Sequence, residues 1–458
     1  MALVTRCRRY AYWVLLFGIA APAQSGDDPQ ALLQQVRWRV MDTVERLPKY
    51  VCTQTIERTR YEADASRARA RSCDDIAATV NRGGWKRRLA SSDRLRLDVA
   101  VSQGRPGTVN EMYSWAGENR FSDRSLFEMV TEGAVSTGSF SSILAAIFGG
   151  QSATFSYNGD GMAGGRLLSE FGFGVARERS QSAYIWGKER GQQTAIAFGG
   201  TFLVDPETSD LVRLVIRTDE MPAQTGACAL TQTLDYGRVH LNDADFLLPA
   251  EARFQVIHRD ETQAENHIHF SACQEFRGES TVRFDKPEET APAGNHSPKG
   301  AVHLPAGLPF KLAFTERIDP SVAAAGDPIR ARLVTAIRDQ ASKAILVPEG
   351  TPVGGRIVSV RRFYDPPKQQ KTTSPSLVLS VRLETLEMGG ASYPFRAGLD
   401  SGLRRFAKSA DLLSMHIDLG SPDRPEDPDI GVFEFRNANP DYVIESGLGS
   451  NWVTLAVH

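Results

Sequence analysis

The sequence contains no G-x-S-x-G, no H-E-x-x-H and no G-x-x-x-x-G-K, so hydrolase, metalloprotease and nucleotidase readings have no residue to start from. It has no C-x-x-C either, which removes the short ligand spacing of a structural zinc site. A basic excess is missing: 53 Lys and Arg stand against 55 Asp and Glu, for a net charge of −2. A nucleic-acid surface ordinarily carries surplus positive charge, so nucleic acid is not an expected partner. Beyond the first twenty positions no apolar run approaches the roughly 20 residues of a membrane helix, and no membrane span is expected in the mature chain.

One glycine pattern does occur. In NGDGMAGG, residues 158–165, Gly159, Gly161 and Gly164 have the G-x-G-x-x-G spacing of a pyrophosphate cradle. Such a loop must follow a strand and open a helix. The following RLLSEFGFGV (166–175) alternates around Phe171, Phe173 and Val175 and reads as a strand, so the glycines belong to a hairpin connection. No cofactor is implied.

The chain starts with Arg6, Arg8 and Arg9, then the ten-residue apolar run AYWVLLFGIA (11–20), then Ala21-Pro22-Ala23. That order reads as an export signal, residues 1–23, cleaved near Gln24. Cys7 precedes the apolar run, so no lipid-bearing cysteine follows cleavage. A periplasmic or secreted location is expected. Four cysteines remain, Cys52, Cys73, Cys228 and Cys273, an even set in a compartment that tolerates disulfides. Four allow three pairings. Pairing within each neighbourhood of the chain predicts Cys52–Cys73 and Cys228–Cys273; free thiols are the other state.

The length, 458 residues, suggests two or three domains. Asp28-Pro29 reads as an N-cap followed by proline at the first helical position. Leu33, Val36, Val40, Val44 and Leu47 then recur at helical spacing until Pro48, predicting a helix over 29–47 that lays one apolar stripe on a core. Strand patterns follow: Val51–Ile56, Leu95–Val101, Phe202–Val204 and Val212–Ile216 around the turn Asp205–Asp210, then Leu234–Leu241, Ala252–His258 and His267–Cys273. The expected fold class is mainly β: a large, curved antiparallel sheet over 24–285. Residues 286–300, KPEETAPAGNHSPKG, read as a linker. A smaller C-terminal β-barrel or sandwich is expected over 301–458. There LPAGLP (304–309) recurs as VPEGTP (347–352), each copy leading into alternating residues.

Within the first region TGSFSSILAAIFGG stands apart. Phe140, Ile143, Leu144, Ile147 and Phe148 fall at i, i+3, i+4, i+7 and i+8, Ser139 can cap, and Gly149 can end the helix in a left-handed conformation. The spacing predicts a short apolar helix over 140–148, either plain core or a plug over an apolar cavity. These five residues are the candidate ligand-binding set. The other polar candidates are sparse. His267 and His269 share a strand face, and His258 could join them from the neighbouring strand as a third imidazole. Asp205 and Glu207 sit in a turn, and DRPEDPD (423–429) gathers acids between prolines. No metal site is assigned.

The stretches LPKYVCTQTIERTRY, GTFLVDPETSDLVRLVI and FSACQEFRGESTVRF resemble envelope proteins of acidobacterial type over about residues 28–285. A helix followed by a curved antiparallel sheet is similar in architecture to the lipoprotein carriers, half-open barrels that shield acyl chains. The LPAG and VPEG turns resemble the β-barrel of TrbI-type conjugation components over 301 to about 400, without that family's membrane helix. These resemblances imply a non-catalytic exported protein that binds a lipid or other apolar ligand or scaffolds envelope partners. The alternative is a secreted hydrolase drawing on Asp205, Glu207, His267 and His269.

Overall fold

The computed structural model describes residues 28–63, 72–82, 87–104, 109–118, 121, 124–186, 191–218, 221–275, 304–364, 375–400, 427–435 and 438–456. The expected export signal and linker lie outside them. The first described element is helix α1, Pro29–Arg46. Asp28 caps it, its side chain accepting the Gln30 N–H at 3.0 Å, which satisfies one of the donors a helix start leaves open. Val36, Val40 and Val44 are buried, as are Leu32 and Leu33 on the same face.

Strands β1 (Tyr50–Ala63), β2 (Arg87–Gln103) and β3 (Val109–Trp115) flank helix α2 (Cys73–Asn81). Helices α3 (Leu126–Met129) and α4 (Ser142–Phe148) precede β4 (Ala153–Ala163), β5 (Arg166–Val175), β6 (Ala183–Trp186) and β7 (Gln192–Ala195). Then come β8 (Phe198–Val204), β9 (Leu211–Thr218), β10 (Ala227–Leu241), β11 (Ala244–His258) and β12 (Gln263–Glu275). Every pairing among the main strands is antiparallel, and the spatial order runs 4-5-8-9-10-11-12-1-2-3. The large antiparallel sheet expected from the sequence is present. One face is apolar: Tyr50, Cys52 and Ile56 of β1 point to it, and α1 and α4 pack there in a single core.

The glycines of NGDGMAGG form the β4–β5 hairpin. Gly164 and Gly165 turn the chain at φ +58° and +78°, which only glycine adopts without strain, and a bulge falls between Tyr157 and Gly159. No helix opens there, as the strand reading of 166–175 requires.

The cysteine pairing differs from the expectation. Cys52 is bonded to Cys273, and Cys73 to Cys228. Sequence neighbourhood misleads because the meander returns: β12, the last strand of the first half, lies beside β1, the first. Cys52 and Cys273 therefore face each other across 221 residues, while the other bond ties α2 to β10 across 155.

Beyond residue 303 follow β13 (Pro309–Phe314), β14 (Pro328–Leu333), β15 (Ile337–Arg338), β16 (Ile345–Val347), β17 (Pro352–Phe363) and β18 (Ser376–Met388). β19 (Ala391–Pro394), β20 (Ala397–Leu399), β21 (Ile430–Phe435) and β22 (Gly449–Thr454) complete the chain. Their order is 21-18-17-14-13-22-20, around a second core that includes Phe314, Leu379 and Trp452. β20 and β21 run close without pairing, so the sheet is not closed into a barrel. Both copies of the repeated turn hold glycine in the left-handed region, Gly307 at φ +85° and Gly350 at +82°, and each delivers the chain into a strand that starts with proline.

The two halves share their sheet. The early part of β2 pairs with the end of β17, Arg361 opposite Asp93 and Phe363 opposite Ser91. A second seam joins Arg96 N–H to the Ala325 carbonyl at 2.8 Å, and Ala325 N–H to the Arg94 carbonyl at 2.8 Å. Gly326 follows at φ +101°; a Cβ there would strike the Arg96 carbonyl and the Trp115 ring.

Candidate functional site

The candidate site is the underside of the sheet around α4. This helix is shorter than the periodicity predicts, 142–148 rather than 140–148, because residues 139–141 form a turn. Ser141 rather than Ser139 takes the N-cap position. Gly149 ends the helix at φ −80°, in the right-handed region, so the left-handed ending is not used.

Four of the five predicted apolar residues are enclosed: Phe140, Leu144, Ile147 and Phe148. Ile143 is half-buried. Phe140 stands edge-on between Tyr50, 5.9 Å between ring centroids, and Phe270, at 4.9 Å. Phe148 meets Phe202 edge-on at 5.2 Å and stacks near Phe155 at 6.1 Å. Offset and edge-on arrangements of this kind suit the aromatic quadrupole.

Two charged side chains hold α4 at its ends, and neither stands in a motif that marks it. Before the helix, the Glu111 carboxylate of β3 accepts Gly138 N–H at 2.8 Å and Phe140 N–H at 3.3 Å, and Tyr113 donates its hydroxyl at 2.5 Å. Burial pushes the Glu111 carboxyl up, and these hydrogen bonds only partly oppose it. After the helix, Arg37 of α1 donates to the Phe148 carbonyl at 3.3 Å and to the Gly150 carbonyl at 2.8 Å. A carboxylate at the start and a guanidinium at the end match the polarity of the peptide groups they meet.

Beside α4 opens a cleft of about 320 Å³ between α1 and the β8–β9 and β10–β11 turns. Its mouth carries Arg39, Arg46 and Arg238 and the indole of Trp38, and Leu144 and Leu211 lie among its lining. Trp38 is 70% exposed, on the α1 face opposite the core stripe. Asp210 closes part of the rim, with Arg39 at 3.0 Å and Arg238 at 2.6 Å.

The remaining sequence candidates fall elsewhere. Asp205 accepts the N–H groups of Glu207 at 3.0 Å and Thr208 at 3.3 Å, which is turn chemistry. Among the described residues no hydrogen bond or ion pair links Asp205 or Glu207 to His267 or His269. His258 does not join those histidines: it sits at the far end of β11 opposite Ala227, where burial lowers its imidazole pKa. Of the DRPEDPD acids, Asp427 and Asp429 are described, and Arg382 and Arg396 hold Asp429 at 3.2 and 2.8 Å.

Comparisons with known proteins find no matching family model and no matching curated protein. Among solved structures, a putative outer membrane lipoprotein-sorting protein domain from Vibrio parahaemolyticus aligns over 54% of this chain and 92% of its own, at 9% identity and a TM-score of 0.25. A DUF1329 family protein from Desulfovibrio piger aligns over 55% and 95%, at 9% identity and a TM-score of 0.24. Likenesses this slight transfer no function. Among the described residues no helix is long and apolar enough to cross a membrane.

Proposed function

We propose that the protein is a non-catalytic envelope protein that receives an acyl chain or similar apolar group beneath its curved sheet. The carrying observation is the cleft at Leu144. It has the size of a small-ligand site, which runs from about 300 Å³ upward, with a mouth of paired charges, Arg39 and Arg238 on Asp210 and Arg46 on Asp42, and apolar side chains behind. That arrangement suits an amphiphile with a polar head: the paired charges of the rim meet the head, and Leu144, Leu211 and the ring cluster around Phe148 offer apolar surface to the tail. Phe140, Ile143, Leu144, Ile147 and Phe148 are the ligand-binding set in this reading, and α4 is a plug that yields to cargo. Glu111 and Arg37 set how firmly it is seated. Two disulfides fit an exported protein in an oxidising compartment. Residues 24–285 form the binding unit, and 301–458 form a second unit for holding it or its partners.

The test is a titration with a fluorescent fatty acid. The wild type is expected to bind it saturably, and Ala244→Trp, which fills the mouth of the cleft, is expected to abolish binding without changing the melting temperature. A wild type that binds no such probe, and carries no lipid in native mass spectrometry after purification from its own host, rules the reading out.

A further inference from the structure

His267 and His269 lie two residues apart on β12, so their side chains leave the same face of the sheet. That face is the outer one: the alternate residues Asn266 and Ile268 are buried on the core side, and the two histidines pair with Glu57 and Thr55 of β1. Their rings stand 4.3 Å apart between centroids. On the other flank, the register of β11 sets Glu251 directly opposite His269. Its two oxygens divide between the rings, Oε2 at 3.5 Å from His267 Nε2 and Oε1 at 3.6 Å from His269 Nδ1.

These separations are long for hydrogen bonds, whose donor–acceptor distances run about 2.7–3.2 Å. They are close to the roughly 3.4 Å that separates neighbouring ligands of a tetrahedral ion bound at about 2.1 Å. All three donor atoms lie within 4.8 Å of one another. His267 Nε2 is enclosed and has no hydrogen-bonding partner, although its side chain is 37% exposed. An enclosed polar nitrogen without a partner is costly unless something occupies its lone pair.

We infer that Glu251, His267 and His269 form a binding site for a divalent transition metal, of which zinc is the best match. Imidazole and carboxylate are ligands that zinc accepts, and three protein donors leave a fourth position for water. Cys52, Cys73, Cys228 and Cys273 take no part, being bonded to one another. The surroundings carry mixed charge. Glu57, opposite His267 on β1, is held by Arg94 of β2 at 2.6 Å; Arg253 of β11 is opposite His267, and Asp235 of β10 is opposite Glu251. Glu57 and Asp235 add negative charge near the ion, while Arg253 and Arg94 oppose it, so the three donors themselves must supply the affinity.

The experiment is calorimetric titration of zinc chloride into the untagged, disulfide-intact full chain after treatment with a chelator. One saturable site per chain is expected. His267→Gln and His269→Gln should each weaken it at least tenfold, as should Glu251→Gln, while His240→Gln leaves it unchanged. All four residues are exposed enough for the variants to keep the wild-type melting temperature in the absence of metal, which is measured alongside. In the wild type, saturating zinc should raise that melting temperature, and X-ray absorption should show nitrogen and oxygen neighbours without sulfur. No saturable binding below millimolar zinc, or binding that survives His267→Gln together with His269→Gln, overturns the assignment.

Discussion

Arg361 of β17 places its Nε 3.3 Å from Asp93 Oδ2 of β2, an oxygen that Arg58 already holds at 2.5 Å. One carboxylate thus serves guanidinium groups from both halves, and Arg361 also reaches Glu132 at 2.9 Å. Asp93 is almost fully enclosed. Burial pushes its carboxyl up, but Arg58 and Arg361 outweigh that and hold it below its usual value of 3.8.

Replacing Asp93 with Asn should therefore leave Arg58 buried without its counter-charge, at a cost of about 3–5 kcal/mol. The sign of the pH effect follows from the lowered pKa. The stabilisation is fully present above the unfolded value and is lost as pH falls through the lower folded value. Melting curves from pH 7 down to pH 2 should show the wild type converging on Asp93→Asn only at the acid end. A constant gap across that range would show that the pair does not titrate with folding.

The disulfides close loops of 221 and 155 residues, and each typically contributes about 2–4 kcal/mol. Peptide mapping without reduction should recover Cys52 joined to Cys273 and Cys73 joined to Cys228. Substituting Cys52 and Cys273 together by serine should lower the melting temperature while leaving the Cys73–Cys228 peptide intact. Recovery of a Cys52–Cys73 peptide would contradict the strand order itself.

Glu111 behaves oppositely to Asp93. Its folded pKa is raised from 4.5, so the folded state holds the proton longer and stability from this group falls as pH rises through the interval above 4.5. Glu111→Gln cannot titrate. The advantage of the wild type over this variant should be largest below pH 4.5 and shrink as pH rises, whereas groups common to both proteins cancel in the difference. An advantage that grows with pH would place the proton elsewhere.

Ile143→Ser with Leu144→Ser tests whether α4 yields. If the helix is a plug, fatty-acid probe binding should rise several-fold while the second core, around Phe314 and Trp452, stays folded. If it is plain core, the leucine alone should cost about 2–5 kcal/mol through the void it leaves. A large loss of melting temperature with no gain in probe binding disposes of the plug.

Local chemistry made much of the fold legible. Asp28-Pro29 and the stripe from Leu33 to Leu47 marked α1, and the alternation around Phe171 and Phe173 identified a strand where the glycine spacing alone suggested a phosphate loop. What stayed hidden depends on which strands become neighbours. Cys52 meets Cys273, and His267 and His269 meet Glu251 rather than His258, because register across β1, β12 and β11 decides it, and register has no signature in one strand read alone. Glu111 and Arg37 were invisible for a related reason. Each acts on backbone groups of α4, and an isolated charge in a strand or helix carries no mark of the carbonyl or amide it will find.

β2 is a member of both halves: one edge bonds to β1 along nearly its whole length, and the other is divided between β17 and β3. Mechanically it is a beam clamped along one side. A pull applied through β17 loads the many hydrogen bonds to β1 together, in shear, instead of opening them one after another as at a free hairpin end. The joint itself is shorter, three residue pairs of β2 and β17 with the Arg94–Ala325–Arg96 bridge beside them, so under load it yields before the β1–β2 ladder behind it.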